Sequence, residues 1–127
     1  MRTPVFVKGH AAPSAPYSPA IIEGNLVFVS GQGPLDPKTG EYLKGDITSE
    51  TRQVFENIKS IVEAAGTSMQ NVLKVNVYLR DINDFAAMNE VYKTVFSTPF
   101  PARTTIQAGA LPRGFAVEIE CVAKLSR

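Results

Sequence analysis

The chain has 127 residues, a formal charge of +1 at pH 7, one cysteine and one histidine. That length suits a single domain spanning residues 1–127, and the near-neutral charge offers no electrostatic footprint for nucleic acid or an anionic membrane. A lone Cys121 excludes an intrachain disulfide and a cysteine-based zinc site, and a histidine-based triad would have to use His10, close to the start.

"MRTPVFVKGH" holds no apolar segment of secretory length, and no run reaches the roughly 18 residues of a membrane span. The expectation is a soluble, cytoplasmic protein. A short first strand is predicted over residues 4–8. Pro13, Pro16 and Pro19 then impose an extended, turn-rich segment on residues 10–20, with Tyr17 between two of the prolines. "AIIEGNLVFVSG" reads as a hairpin that turns at Gly24-Asn25 and returns through residues 26–30. The return strand is apolar on both faces. Asp36 to Gly40 form the tip of a further turn, and the spacing of this glycine-rich stretch is not that of a phosphate loop.

A first helix is predicted over 49–65. Val54, Ile58, Ile61, Val62 and Ala65 supply its apolar face, Thr48 or Asp46 its cap, and Gly66 its stop. "VLKVNVYLR" alternates, with Leu73, Val75, Val77 and Leu79 on one face. A second helix covers about 83–96, with Phe85, Met88, Tyr92 and Val95 as its buried stripe. Pro99 and Pro101 bar its continuation. Strands follow at 103–109 and 116–125. In the last, Val117, Ile119, Cys121, Ala123 and Leu125 share a face opposite Glu118 and Glu120.

The order is β-β-β-α-β-α-β-β, an α+β mixed sheet with two helices on one face. The uncovered face carries apolar positions and calls for self-association.

Candidate chemistry is sparse. Arg103 opens a strand straight after Phe100-Pro101-Ala102, and a guanidinium held there offers a fork of donors suited to a carboxylate. The alternative is a structural ion pair with Glu118 or Glu120, or a solvated edge residue. Glu118 and Glu120 are either solvent-exposed or partly sheltered, one of them handling a proton or orienting a water. Gly31 allows close approach to the backbone, or simply ends a strand. Ser30 lacks a histidine base. Tyr17 and Asn89 fit ligand contact and plain packing equally. Cys121 reads as a buried small hydrophobe, and no cluster has metal-ligand spacing.

"SGQ" at 30–32, "FPART" at 100–104, "LPRG" at 111–114 and "VEIE" at 117–120 resemble the reactive intermediate deaminase (Rid, or YjgF) family. "NIKSIVEAAG" at 57–66 and "DINDFAAMNEVY" at 81–92 look like its two helices, and the likeness runs from about residue 10 to 125. The resemblance implies a chorismate-mutase-like fold, assembled as a homotrimer with sheets packed inward and clefts between subunits. It implies hydrolysis of short-lived enamines and imines, such as 2-aminoacrylate and 2-aminocrotonate, to 2-keto acids and ammonia without a cofactor. The family's carboxylate-binding arginine matches Arg103 and its water-associated glutamate matches Glu118. Its other site positions match Tyr17, Ser30, Gly31 and Asn89. Thr105 stands where many members carry cysteine, so cysteine-modification behaviour does not transfer, and substrate preference is left open. Rival expectations are a non-catalytic protein binding carboxylate metabolites and an RNA-acting inhibitor of translation; the near-neutral charge argues against the second.

Overall fold

The computed structural model describes residues 1–126. Six strands and two helices alternate in the predicted order: β1 (Thr3–Val5), β2 (Ala20–Glu23), β3 (Leu26–Gln32), α1 (Ile47–Ala65), β4 (Val72–Leu79), α2 (Phe85–Val95), β5 (Ala102–Gln107) and β6 (Val117–Lys124). The strands form one sheet in the order β1-β2-β3-β6-β4-β5. All neighbours are antiparallel except β4 and β5, which run parallel because α2 carries the chain back between them. α1 packs on β3 and β6, and α2 packs beside α1.

The pleat decides which side chains the helices cover. Val27 and Val29 on β3, Val75, Val77 and Leu79 on β4, and Val117, Ile119, Cys121 and Ala123 on β6 are all buried. They meet Val54, Ile58, Ile61 and Val62 of α1 and Met88, Val91 and Tyr92 of α2 in one core. The interleaved residues form the uncovered face, where Leu26, Phe28 and Ile106 remain 36%, 45% and 47% exposed. No helix among the described residues is long and apolar enough to cross a membrane.

Local chemistry explains the boundaries. In the β2–β3 hairpin Gly24 alone takes a positive φ, 59°, as a type II′ turn asks of its first central residue; Asn25 does not share that role. α1 starts two residues before the predicted position, because the Asp46 side chain accepts from the Ser49 amide at 2.8 Å and caps it. It ends at Gly66, whose φ of 96° is left-handed. The Asp36 carboxylate accepts from the Lys38 and Thr39 amides and shapes the turn tip.

Two expectations about burial need correcting. Leu73 is 44% exposed, and Val72 takes its place in the core. The pairing of β4 with β6 slips between Val72 and Lys74, so one extra residue bulges out of β4 and the alternation restarts. Phe85, expected in the buried stripe of α2, is 39% exposed at the helix start, and Val91 is buried instead.

Glu50, an acid in the first turn of α1, is 1% exposed. Its carboxylate accepts from the Tyr42 hydroxyl at 2.7 Å, the Gly45 amide at 3.1 Å and the Ala116 amide at 2.9 Å. One buried acid thus fastens the loop before α1 to the start of β6. The same contact, with burial as the larger cause, pushes the Tyr42 phenol up to about 12.

Candidate functional site

Arg103 pairs in register with Val75, which in turn pairs with Cys121, so all three side chains lie on the helix-covered face. There the half-buried guanidinium meets α2. Its Nη1 donates to Asn89 Oδ1 at 2.7 Å. Its central carbon lies 4.6 Å from the centroid of the Tyr92 ring and 5.4 Å from that of Phe85. The expected alternative, an ion pair with Glu118 or Glu120, is not formed. Glu120 accepts instead from Asn76 Nδ2 and the Tyr78 hydroxyl, each at 3.2 Å. The ion pairs among the described residues join the N-terminus to Glu23 and Lys93 to Glu90. Arg103 therefore holds donors that no protein carboxylate takes.

Thr105 lies two residues further along β5 on the same face, opposite Val77, and its Oγ1 is buried without a partner. The Tyr92 hydroxyl is likewise buried and unpartnered. Burial pushes its pKa up against the opposing pull of Arg103. Cys121 is also on this face, and burial, then Glu120, push its thiol to about 12, which keeps it a protonated core residue.

Gly31 and Glu118 meet on the opposite, uncovered face. Glu118 pairs in register with Tyr78. A Cβ added to Gly31 would overlap the Glu118 carboxylate, so glycine is what lets this acid lie over β3. Burial first, and Glu120 second, raise the Glu118 pKa above the ordinary glutamate value. The Ser30 hydroxyl donates to the Ser18 carbonyl at 2.6 Å and the Ser30 amide to the Pro19 carbonyl at 2.9 Å. That hydroxyl is engaged in fastening the proline-rich segment to β3, and it leaves Tyr17 51% exposed nearby in the chain.

The structure thus brings together Asn89, Arg103 and Thr105, and separately Gly31 and Glu118, with Ser30 beside Gly31 in β3 holding the proline-rich segment that carries Tyr17. It does not bring the two groups together within one chain. Arg103 and Glu118 occupy opposite faces of the sheet, with β4 between β5 and β6. Phe85 and Tyr92 join the first group although their helical spacing signals only core packing. Their signal is the shared face of α2 formed by positions 85, 89 and 92. Among the described residues no group of three His, Cys, Asp or Glu side chains is arranged to hold a metal ion.

Residues 8–125 match the family model described as Endoribonuclease L-PSP, the YjgF/RidA family. The chain belongs to this family. A RutC family protein of Pyrococcus horikoshii is 52% identical over 123 residues, covering 97% of this chain and 98% of that protein. A Dermatophagoides farinae protein named 2-iminobutanoate/2-iminopropanoate deaminase is 46% identical over 110 residues, covering 87% of this chain and 86% of its own length. The crystal structure of RidA from an Antarctic Psychrobacter species superposes with a TM-score of 0.91 at 44% identity, covering 97% of this Rid-family chain and 99% of that one.

Proposed function

We propose that this Rid-family chain is a cytoplasmic hydrolase of 2-imino and 2-enamino acids, acting as a homotrimer whose sites lie between subunits. The observation that carries the reading is Arg103, an oriented guanidinium with unclaimed donors in a partly buried setting. A small carboxylate complements it, and relatives bearing the 2-iminobutanoate/2-iminopropanoate deaminase name point to which carboxylates. Because Glu118 is on the opposite face, the second half of each site comes from a neighbouring copy. The open sheet face, with Leu26, Phe28 and Ile106 exposed, supplies the apolar surface for that association.

In this reading Arg103 and the Gly31 amide of the adjoining copy hold the substrate carboxylate. The enamine tautomerises to the imine, C=NH. Glu118 takes a proton from a water as its oxygen bonds to the imine carbon. That proton passes to nitrogen, giving a carbinolamine. Glu118 then moves the carbinolamine hydroxyl proton to nitrogen as the C–N bond breaks and the C=O bond forms, and a 2-keto acid and ammonia leave. Thr105 lines the pocket where the substrate side chain lies. The near-neutral charge gives RNA no electrostatic footprint to bind, which disfavours the endoribonuclease activity for which the family model is named.

The test generates 2-aminoacrylate with a serine dehydratase and follows its capture by semicarbazide. Added protein is expected to divert the intermediate to pyruvate. Capture unaffected by saturating protein, for both 2-aminoacrylate and 2-aminocrotonate, would sink the proposal.

Two further outcomes are expected. Phe28→Glu places a charge in the apolar sheet face, so light scattering should find 13.8 kDa monomers in place of a species of three-chain mass. An unaltered trimer would remove this face from the interface. The raised Glu118 pKa fixes a pH limb. The ionised form is the base, so kcat should fall as pH drops through a value above the ordinary 4.5 of glutamate. A rate flat from pH 8 down to pH 4.5 would take Glu118 out of the proton transfer.

A further inference from the structure

We propose that Phe85 and Tyr92 are positioning residues, which hold the Arg103 guanidinium in one orientation so that its free edge faces an anion. The inference rests on the reading of Arg103 as the anion-binding group. A guanidinium has two apolar faces and five in-plane donors, on a long side chain with many rotamers. Left to itself on an edge strand, such a side chain would lose much rotamer freedom on binding a ligand.

α2 removes that freedom in advance. Phe85, Asn89 and Tyr92 follow one another at spacings of four and three along a single helix face. Asn89 takes one in-plane donor at 2.7 Å, and both rings receive the cation over their π faces, at 5.4 and 4.6 Å. Of the in-plane donors only one is taken, by Asn89, so the others are left for a coplanar carboxylate.

The two rings differ in how they are held. Tyr92 is 5% exposed and is gripped by Phe55 and Phe96, with centroids 5.9 and 4.8 Å away, so it is a fixed floor. Its hydroxyl has no partner, so the ring is the working part. Phe85 is 39% exposed, a large aromatic left partly in water where packing alone gives it little to do.

The test uses the full-length protein labelled with ¹⁵N-arginine. The Arg103 Nε–H resonance is identified by its loss in Arg103→Lys. It is expected upfield of the other arginines from the ring currents, with slowed rotation resolving its Nη signals. Phe85→Leu and Tyr92→Leu should each shift it toward the solvent-exposed position, and Tyr92→Phe should leave it unchanged. Titration with 2-oxobutanoate should give a dissociation constant raised roughly five- to tenfold in Phe85→Leu, with thermal stability retained. Phe85→Leu keeps the proposal testable should Tyr92→Leu fold poorly. An Arg103 signal and an affinity unmoved by Phe85→Leu and Tyr92→Leu would overturn the proposal. So would an equal loss in Tyr92→Phe, which would assign the effect to the hydroxyl. An upfield signal sensitive to both leucine variants, in a protein that neither binds 2-oxobutanoate nor diverts 2-aminoacrylate from semicarbazide, supports the positioning role and overturns the deaminase reading instead.

Discussion

Arg103→Ala is expected to slow imine hydrolysis by about 100- to 1,000-fold, roughly 3–4 kcal/mol of transition-state binding, while the protein stays folded and assembled. The size follows from what the side chain does. In the proposed reaction it supplies the charge that complements the substrate carboxylate, and it orients the imine carbon toward the attacking water. Its contribution to folding is small by comparison: a half-buried side chain with one hydrogen bond, to Asn89, and two ring contacts. Arg103→Lys should recover part of the rate but not all, because an ammonium keeps the charge and loses the planar fork. Competition with semicarbazide for 2-aminoacrylate measures both variants. Near-normal turnover in the alanine variant would mean that the carboxylate is gripped elsewhere.

Glu50→Ala should cost about 3–4 kcal/mol of stability, or roughly 10–15 °C in the thermal midpoint. Three donors lose their acceptor together: the Tyr42 hydroxyl and the amides of Gly45 and Ala116. Ala116 is 1% exposed, so water cannot readily replace the carboxylate there. Glu50→Gln keeps one carbonyl acceptor and should fall between the two. Urea unfolding decides it; a midpoint in Glu50→Ala matching the unaltered protein would mean that the loop and β6 are held by packing alone. Since Ala116 leads directly into Val117 and Glu118, the same variant should also loosen the uncovered-face half of the site.

The contrast between Glu50 and β6 marks where sequence patterns inform and where they stop. The alternation from Val117 to Leu125 survives intact because the extra residues in its two pairings lie in the neighbouring strands β3 and β4, not in β6. The alternation of β4 fails at Leu73, because one extra residue is accommodated only once β6 lies alongside. Glu50 draws its donors from positions 5, 8 and 66 residues away, and no local pattern announces that convergence. The candidate site is legible to the same extent. Arg103 and Gly31 declare themselves through the prolines before one and the missing side chain of the other. Which face each residue takes depends on the parallel register of β5 with β4, and so did the fate of the ion pair expected between Arg103 and Glu118 or Glu120. Phe85 and Tyr92 obey the rule for a core stripe and were read as one. Their second contact lies across a loop, with a residue that local periodicity cannot see.

The separation of Arg103 and Glu118 across the thickness of one sheet has a consequence for the life of the protein. In the proposed trimer, a newly made chain, however well folded, would carry only halves of sites. Competence would arrive by mass action, when copies meet and the face of one closes on the edge of another. Dilution would then switch the protein off without unfolding it, and the cell's supply of chains would set a threshold below which reactive imines pass unprocessed.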